Sequence, residues 1–102
     1  MMQLAYISGP YRAGHGRTVL MNIRLAEKVA LKYWWEGYAV ICPHLNTAFF
    51  DGLLPDQTFL EADLEMVRRV DVVVMMKNWE QSAGARAELE LARELRKEII
   101  YE

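Results

Sequence analysis

Glu88 and Asp63 are acids placed where helices call for apolar residues. The segment Ser82-Ala-Gly-Ala-Arg-Ala-Glu-Leu-Glu-Leu-Ala-Arg-Glu-Leu-Arg-Lys97 reads as a helix. At about 100° per residue, Gly84, Ala85, Glu88, Leu89, Leu91, Ala92 and Leu95 share one face, while Arg86, Glu90, Arg93, Glu94 and Lys97 share the other. Glu88 therefore points with the apolar stripe. An unpaired carboxylate facing a core costs several kcal/mol or shifts its pKa upward, so a helix keeps one there for a partner or for chemistry.

The same projection of a helix from about Gln57 to Arg69 places Phe59, Ala62, Asp63, Met66, Val67 and Val70 together, opposite Glu61, Glu65 and Arg68. Aspartate is a mediocre helix former in mid-helix, so local stability does not explain Asp63. Two inward carboxylates from different helices of one small domain are the kind of pair used for glycosyl transfer, one as nucleophile or base and the other as acid or orienting group. The plainer reading has each acid cap a helix end, pair with an arginine or sit at the rim of its stripe, and the residues alone leave both readings open.

Other polar groups gather near these acids in sequence logic. Gly9-Pro-Tyr-Arg-Ala-Gly-His-Gly-Arg-Thr18 is a glycine-rich turn carrying Arg12, His15 and Arg17, whose backbone N–H groups and guanidinium forks suit a phosphate. It matches neither the P-loop nor the dinucleotide fingerprint, and a plain flexible loop is the competing reading. Ser82 to Gly84 opens the Glu88 helix, so a serine hydroxyl and free N–H groups meet the positive end of the macrodipole; an ordinary N-cap serine would look the same. His44 and Asn46 lie in a polar loop and can contact a base or simply face solvent. Trp79 can wall a pocket. Trp34 and Trp35 end a helix far from the strand ends, which favours packing in the core or between subunits. Two histidines and one cysteine are too few to argue for a metal.

The elements that must position these groups alternate regularly. Leu4–Ser8 is an apolar run stopped by Gly9-Pro10, a helix follows from about Thr18 to Glu36 with Gly37 as its stop, and Tyr38 to Cys42 forms a second strand. His44 to Pro55 is too irregular for an element and reads as a long loop. Asp56 is a possible cap for the Asp63 helix. Asp71 to Met76 is a third strand, Lys77 to Gln81 a link to the Glu88 helix, and Glu98 to Tyr101 a fourth strand. This β-α-β-α-β-α-β order predicts an α/β fold, a three-layer doubly wound arrangement of Rossmann or flavodoxin type around a four-stranded parallel sheet. Ligands in such folds bind beyond the carboxyl ends of the strands, which singles out Ser8 to Arg17, Pro43 to Gly52 and Lys77 to Gly84.

The 102 residues suit one domain spanning the chain, and a 53% hydrophobic content supplies a core. Twelve basic against fourteen acidic side chains is too even for a polymeric nucleic acid or a membrane surface. The single cysteine, and the absence of a signal-like or membrane-spanning run, point to a cytoplasmic protein.

Taken together, Tyr6-Ile-Ser-Gly-Pro-Tyr-Arg12, Glu61-Ala-Asp-Leu64, Asp71-Val-Val-Val74 and Ser82-Ala-Gly-Ala-Arg-Ala-Glu88 resemble the nucleoside 2-deoxyribosyltransferase superfamily, including its 2′-deoxynucleoside 5′-phosphate N-hydrolase branch, and in particular its small bacterial and phage members. The last motif is the most specific and the resemblance covers nearly the whole chain. It implies that Glu88 is a nucleophile toward C1′ of the sugar, that Asp63 assists departure of the base, and that Tyr6 positions sugar and glutamate. Substrate contacts implied alongside these are Ser8, Gly9, Arg12, Ser82 and Gly84, with Arg12 and Ser82 on a 5′-phosphate. Pro10 and Gln81 depart from the pattern, Pro10 replacing a phosphate-binding serine and Gln81 standing near a base-contacting aspartate. The resemblance also implies a reaction that needs no metal or organic cofactor, and assembly as a homo-oligomer, a dimer or larger.

The leading expectation is cleavage of the N-glycosidic bond of a small-molecule nucleoside or nucleotide. Deoxyribosyl transfer between bases differs only in the acceptor. A non-catalytic nucleotide-binding or sensing module, and a purely structural oligomerisation domain, remain as readings of a different class.

Overall fold

Leu4–Ser8 (β1) is buried on both sides, as an apolar strand at the centre of a parallel sheet must be. In the computed structural model, which describes residues 1–102, β1 is flanked by Ala39–Ile41 (β2) and Val72–Met75 (β3), with Glu98–Tyr101 (β4) beyond β3. All pairings are parallel and the order is β2-β1-β3-β4. The register sets Tyr6 beside Ile41 and Val73, and Ser8 beside Met75. The expected doubly wound α/β sheet is present.

Because successive strand side chains alternate, β1 serves two cores. Ala5 and Ile7 join Val72, Val74 and the inward face of Val19–Trp35 (α1), namely Ala26, Ala30 and Tyr33. Tyr6 turns the other way, joining Val73, Met75 and Val67 of Asp56–Arg69 (α3) and Ala85, Leu89 and Ala92 of Ala83–Glu94 (α4). α1 thus covers one face, and α3 and α4 the other. The chain leaves β1 toward β2 on the first face and returns to β3 on the second. Strand order consequently reverses beside β1, where the crevice of an open α/β sheet forms.

Helix ends follow the local chemistry. Thr18 caps α1 by accepting the Met21 N–H at 3.1 Å, and Gly37, at φ +98°, ends it as expected. Ser82 caps α4 through the Ala85 N–H, also at 3.1 Å.

Several expectations are corrected. Asp56 is the first residue of α3 rather than its cap, Pro55 standing in the capping position without a side-chain bond. The supposedly irregular loop contains one helical turn, Pro43–Asn46 (α2), which Pro43 initiates with its fixed φ. Trp34 and Trp35 are 54% and 84% exposed, so neither packs in the core. Ala62 and Leu95, placed on inward stripes by periodicity, are exposed because α3 and α4 lean on the sheet with only part of each stripe. No helix is long and apolar enough to cross a membrane.

Candidate active site

Tyr6 and Ser8 are two residues apart on β1, so both side chains face α4. There they meet Glu88, which projects inward with Ala85, Leu89 and Ala92 and is 7% exposed. The Tyr6 hydroxyl donates to Glu88 Oε2 at 2.9 Å and the Ser8 hydroxyl donates to Oε1 at 2.6 Å. Each carboxylate oxygen therefore has one fixed donor, and none of the ion pairs of the chain involves Glu88.

Burial dominates the ionisation of this group. It pushes Glu88 up to about 7, with the Asp63 charge adding to the rise, while the Ser8 and Tyr6 hydrogen bonds pull the other way. Tyr6 is itself raised well above the usual phenol value, chiefly by burial and then by the Glu88 charge, so it stays a donor throughout the working pH range. Asp63 is half-buried and is raised to about 6 by burial. Between about 6 and 7 the pair holds one proton, with Glu88 its more basic member, and coupled acids of this kind suit acid–base work.

In front of Glu88 lies a cavity of about 850 Å³. Its floor is Tyr6, Asp63 and Glu88, and Phe59 and Leu60 of α3 add apolar wall. Across from them stand the β1–α1 loop from Gly9 to His15, Asn22, His44, and the start of α4 from Ser82 to Ala85. Gly9 allows this loop to lie directly on Met76, just past the end of β3, since a Cβ there would fall 2.4 Å from Met76 Sδ and 3.0 Å from its Cβ. The loop ends in a tight two-residue turn at His15 and Gly16, both with positive φ, closed by paired backbone bonds of 3.0 Å between Gly14 and Arg17.

Contacts across the mouth tie the loop to the far side. The Arg12 guanidinium donates to Asp56 at 2.6 Å, and that of Arg17 to Gln81 Oε1 at 3.0 Å. The Tyr11 hydroxyl donates to Asp51 at 2.9 Å while accepting the Phe49 N–H at 2.8 Å. Both arginines are thus at the mouth with partners that an incoming anion can replace.

The expected residues distribute unevenly. Glu88, Asp63, Tyr6, Gly9, Arg12, Ser82 and Gly84 all border the cavity. Ser8 is spent on Glu88 rather than offered to a ligand. His44 borders the cavity, but its Nε2–H donates to the Pro10 carbonyl at 2.8 Å; burial lowers its pKa, which keeps the ring neutral. Asn46 and Trp79 are not among the lining residues, as Asn46 lies at the outer end of α2 and Trp79 packs against Tyr101 at 6.3 Å. Asn22 escaped the sequence reading although it interrupts the apolar face of α1, the same signal that marks Glu88. No group of histidine, cysteine or acidic residues is arranged to hold a metal ion.

Residues 3–101 match the family described as Domain of unknown function (DUF4406). Among solved structures, the chain is similar to the 2-desoxiribosyltransferase from Leishmania mexicana, with a TM-score of 0.66 at 17% identity over 97% of this chain and 63% of that one. The chain spans less than two thirds of that protein's length, and the likeness is one of fold. A search of curated proteins finds no match.

Proposed function

The chain belongs to the DUF4406 family, and from the site it carries we propose that it cleaves the N-glycosidic bond of a nucleoside or deoxynucleoside 5′-monophosphate. One observation carries this reading: a buried carboxylate held by two hydroxyl donors, without a cation, faces a cavity shared with a second carboxylate of raised pKa. A carboxylate neutralised by arginine would be a structural ion pair; this one keeps its charge available for an electrophile.

In the proposed reaction ionised Glu88 attacks C1′ and the C1′–N bond breaks, its electron pair leaving with the base. Protonated Asp63 supplies the proton the base takes. Water then attacks C1′ of the glycosyl ester, giving its proton to Asp63 and releasing Glu88, so two inversions yield net retention. Tyr6 and Ser8 fix the carboxylate plane for both steps. The 5′-phosphate sits against the β1–α1 loop and the start of α4, where Arg12, Arg17, the Ser82 hydroxyl and the helix dipole favour an anion.

The test is to incubate the protein with a panel of deoxy- and ribonucleoside 5′-monophosphates and follow free base by chromatography. Release that disappears in Glu88→Ala is expected; no release above that control across several pH values would sink the reading. Adding a second base distinguishes transfer, the activity in the name of the Leishmania protein, because a new nucleoside would then form in preference to free sugar. We place this activity in the cytoplasm, on free nucleotides, in a homo-oligomer. The exposed Leu31, Trp34 and Trp35, a turn apart on α1, supply an apolar stripe for self-association. Light scattering of Trp35→Glu checks that last point.

A further inference from the structure

Two buried polar side chains outside the reacting group, both bordering the cavity, reach the backbone of the β1–α1 loop. Asn22 of α1, 1% exposed, donates through Nδ2 to the Tyr11 carbonyl at 3.1 Å and the Arg12 carbonyl at 2.9 Å. His44 of α2, 4% exposed, donates through Nε2 to the Pro10 carbonyl at 2.8 Å. Three consecutive carbonyls are therefore held by two side chains on different helices. Each side chain leaves its acceptor, Asn22 Oδ1 or His44 Nδ1, without a partner. A buried acceptor without a donor is unfavourable, so their orientation is set by the carbonyls they serve.

The peptide plane gives this arrangement its consequence. In a trans peptide the carbonyl and the following N–H point in opposite directions, and the chain has no cis bonds. Holding the carbonyls of Pro10, Tyr11 and Arg12 turns the N–H groups of Tyr11, Arg12 and Ala13 to the side of the loop opposite Asn22 and His44. Those three N–H groups make no hydrogen bond within the protein, and the residues that carry them border the cavity. Successive free N–H groups in a concave turn are an acceptor site for an anion.

We propose that Asn22 and His44 are positioning residues, which hold the N–H groups of Tyr11, Arg12 and Ala13 ready for the oxygens of the substrate's 5′-phosphate. The inference rests on the monophosphate reading above and adds the means by which the loop is preorganised. Each acts through the backbone carbonyls it holds.

Calorimetry with a 2′-deoxynucleoside 5′-monophosphate and with the matching nucleoside tests this in the native chain, Asn22→Asp, His44→Ala and His44→Gln. Asn22→Asp keeps the shape but sets carboxylate oxygens against two carbonyls, and His44→Gln carries an amide N–H to roughly the place of Nε2. The expected result is a loss of about tenfold or more in monophosphate affinity for Asn22→Asp and His44→Ala. Nucleoside affinity stays within about twofold, and His44→Gln recovers most of the monophosphate affinity. Equal losses for both ligands would mean a general structural role and overturn the proposal, as would unchanged monophosphate binding. A urea midpoint for each variant separates misfolding, and the His44 pair decides the matter if Asn22→Asp does not fold. Base release by the native chain is scored separately: release without this discrimination defeats only the positioning role, whereas discrimination without release defeats only the catalytic reading. A native chain that binds neither ligand defeats both.

Discussion

On one face of the sheet Glu88 accepts the Tyr6 hydroxyl at 2.9 Å; on the other Glu102 accepts the Tyr33 hydroxyl at 2.5 Å. Both tyrosines are buried in the core of their face. The companions differ. Glu88 has a second hydroxyl, Ser8, and a like charge in Asp63, whereas Glu102 has Lys32 Nζ at 3.0 Å. Burial pushes both acids up, but at Glu102 the Tyr33 and Lys32 hydrogen bonds and the Lys32 and Lys77 charges outweigh it, and its pKa falls. At Glu88 nothing cationic opposes burial and the value rises to about 7. A glutamate–tyrosine pair is therefore a fastener or a reactive group according to whether a cation completes it.

The sharpest way to break this comparison is to neutralise each acid. Glu88→Gln should lower base release by about a thousandfold or more, while Glu102→Gln should leave kcat within about twofold. A comparable loss in both, measured on the same nucleotide, would erase the distinction between them.

The two hydroxyls come next. Tyr6→Phe removes a donor to the charged form of Glu88, so activity should fall by about tenfold to a hundredfold. In the native chain the reactive pair, ionised Glu88 with protonated Asp63, is the minor form of the singly protonated state, so activity follows a narrow bell that rises around 6 and falls around 7. Tyr6→Phe should move the falling limb to higher pH and lower the maximum. Tyr33→Phe should move neither limb.

Stability should respond with opposite signs. Glu88 is raised from 4.5 to about 7, so the folded chain holds a proton that the unfolded chain releases, and stability falls as pH rises through that window. Glu102 lies below its ordinary value, so its contribution is present above about 4.5 and is lost as pH falls through the depressed value. At pH 7.5 Glu88→Gln is expected to be more stable than the native chain by about 1–2 kcal/mol, and Glu102→Gln less stable by about 1 kcal/mol. Urea midpoints at pH 5 and 7.5 read both, and the Glu88→Gln gain should shrink at pH 5. The smallest effect belongs to Lys32→Met. Taking away the partly exposed cation should cost at most about 1 kcal/mol and raise the Glu102 pKa toward ordinary values, followed by NMR titration of its side chain.

Helical and strand periods made much of this arrangement legible in the sequence. The period of α4 isolates Glu88, and the turn of Gly9-Pro10 after an apolar run marks the loop that crosses the cavity. Asn22 carries an equally clear signal, sharing a face with Ala26, Ala30 and Tyr33, but a neutral amide attracts less notice than an acid. The period-two relation of Tyr6 and Ser8 likewise places both on the Glu88 side, where Ser8 is consumed as a donor. Other features depend on distances between segments far apart in the chain. No local pattern tells that His44 turns behind Pro10 or that Arg12 reaches Asp56, because each partner lies more than thirty residues away. Asn46 and Trp79 sit on strand-end segments yet miss the cavity, since such segments are longer than the crevice they border.

The turn at His15 and Gly16 has a consequence for how this scaffold can diversify. A Cβ at Gly14 or Gly16 would meet nothing within 4 Å, so only their positive φ, +154° and +77°, resists exchange, whereas one at Gly9 would strike Met76. The loop thus has a root fixed to the sheet and a tip in open space, joined where the Gly14–Arg17 bonds close the turn. Insertions and exchanges between positions 14 and 17 can reshape the entrance without moving Tyr6, Ser8 or Glu88. A selected library should accordingly accept new lengths and residues at the tip while retaining glycine at position 9, so that substrate range drifts faster than the chemistry it feeds.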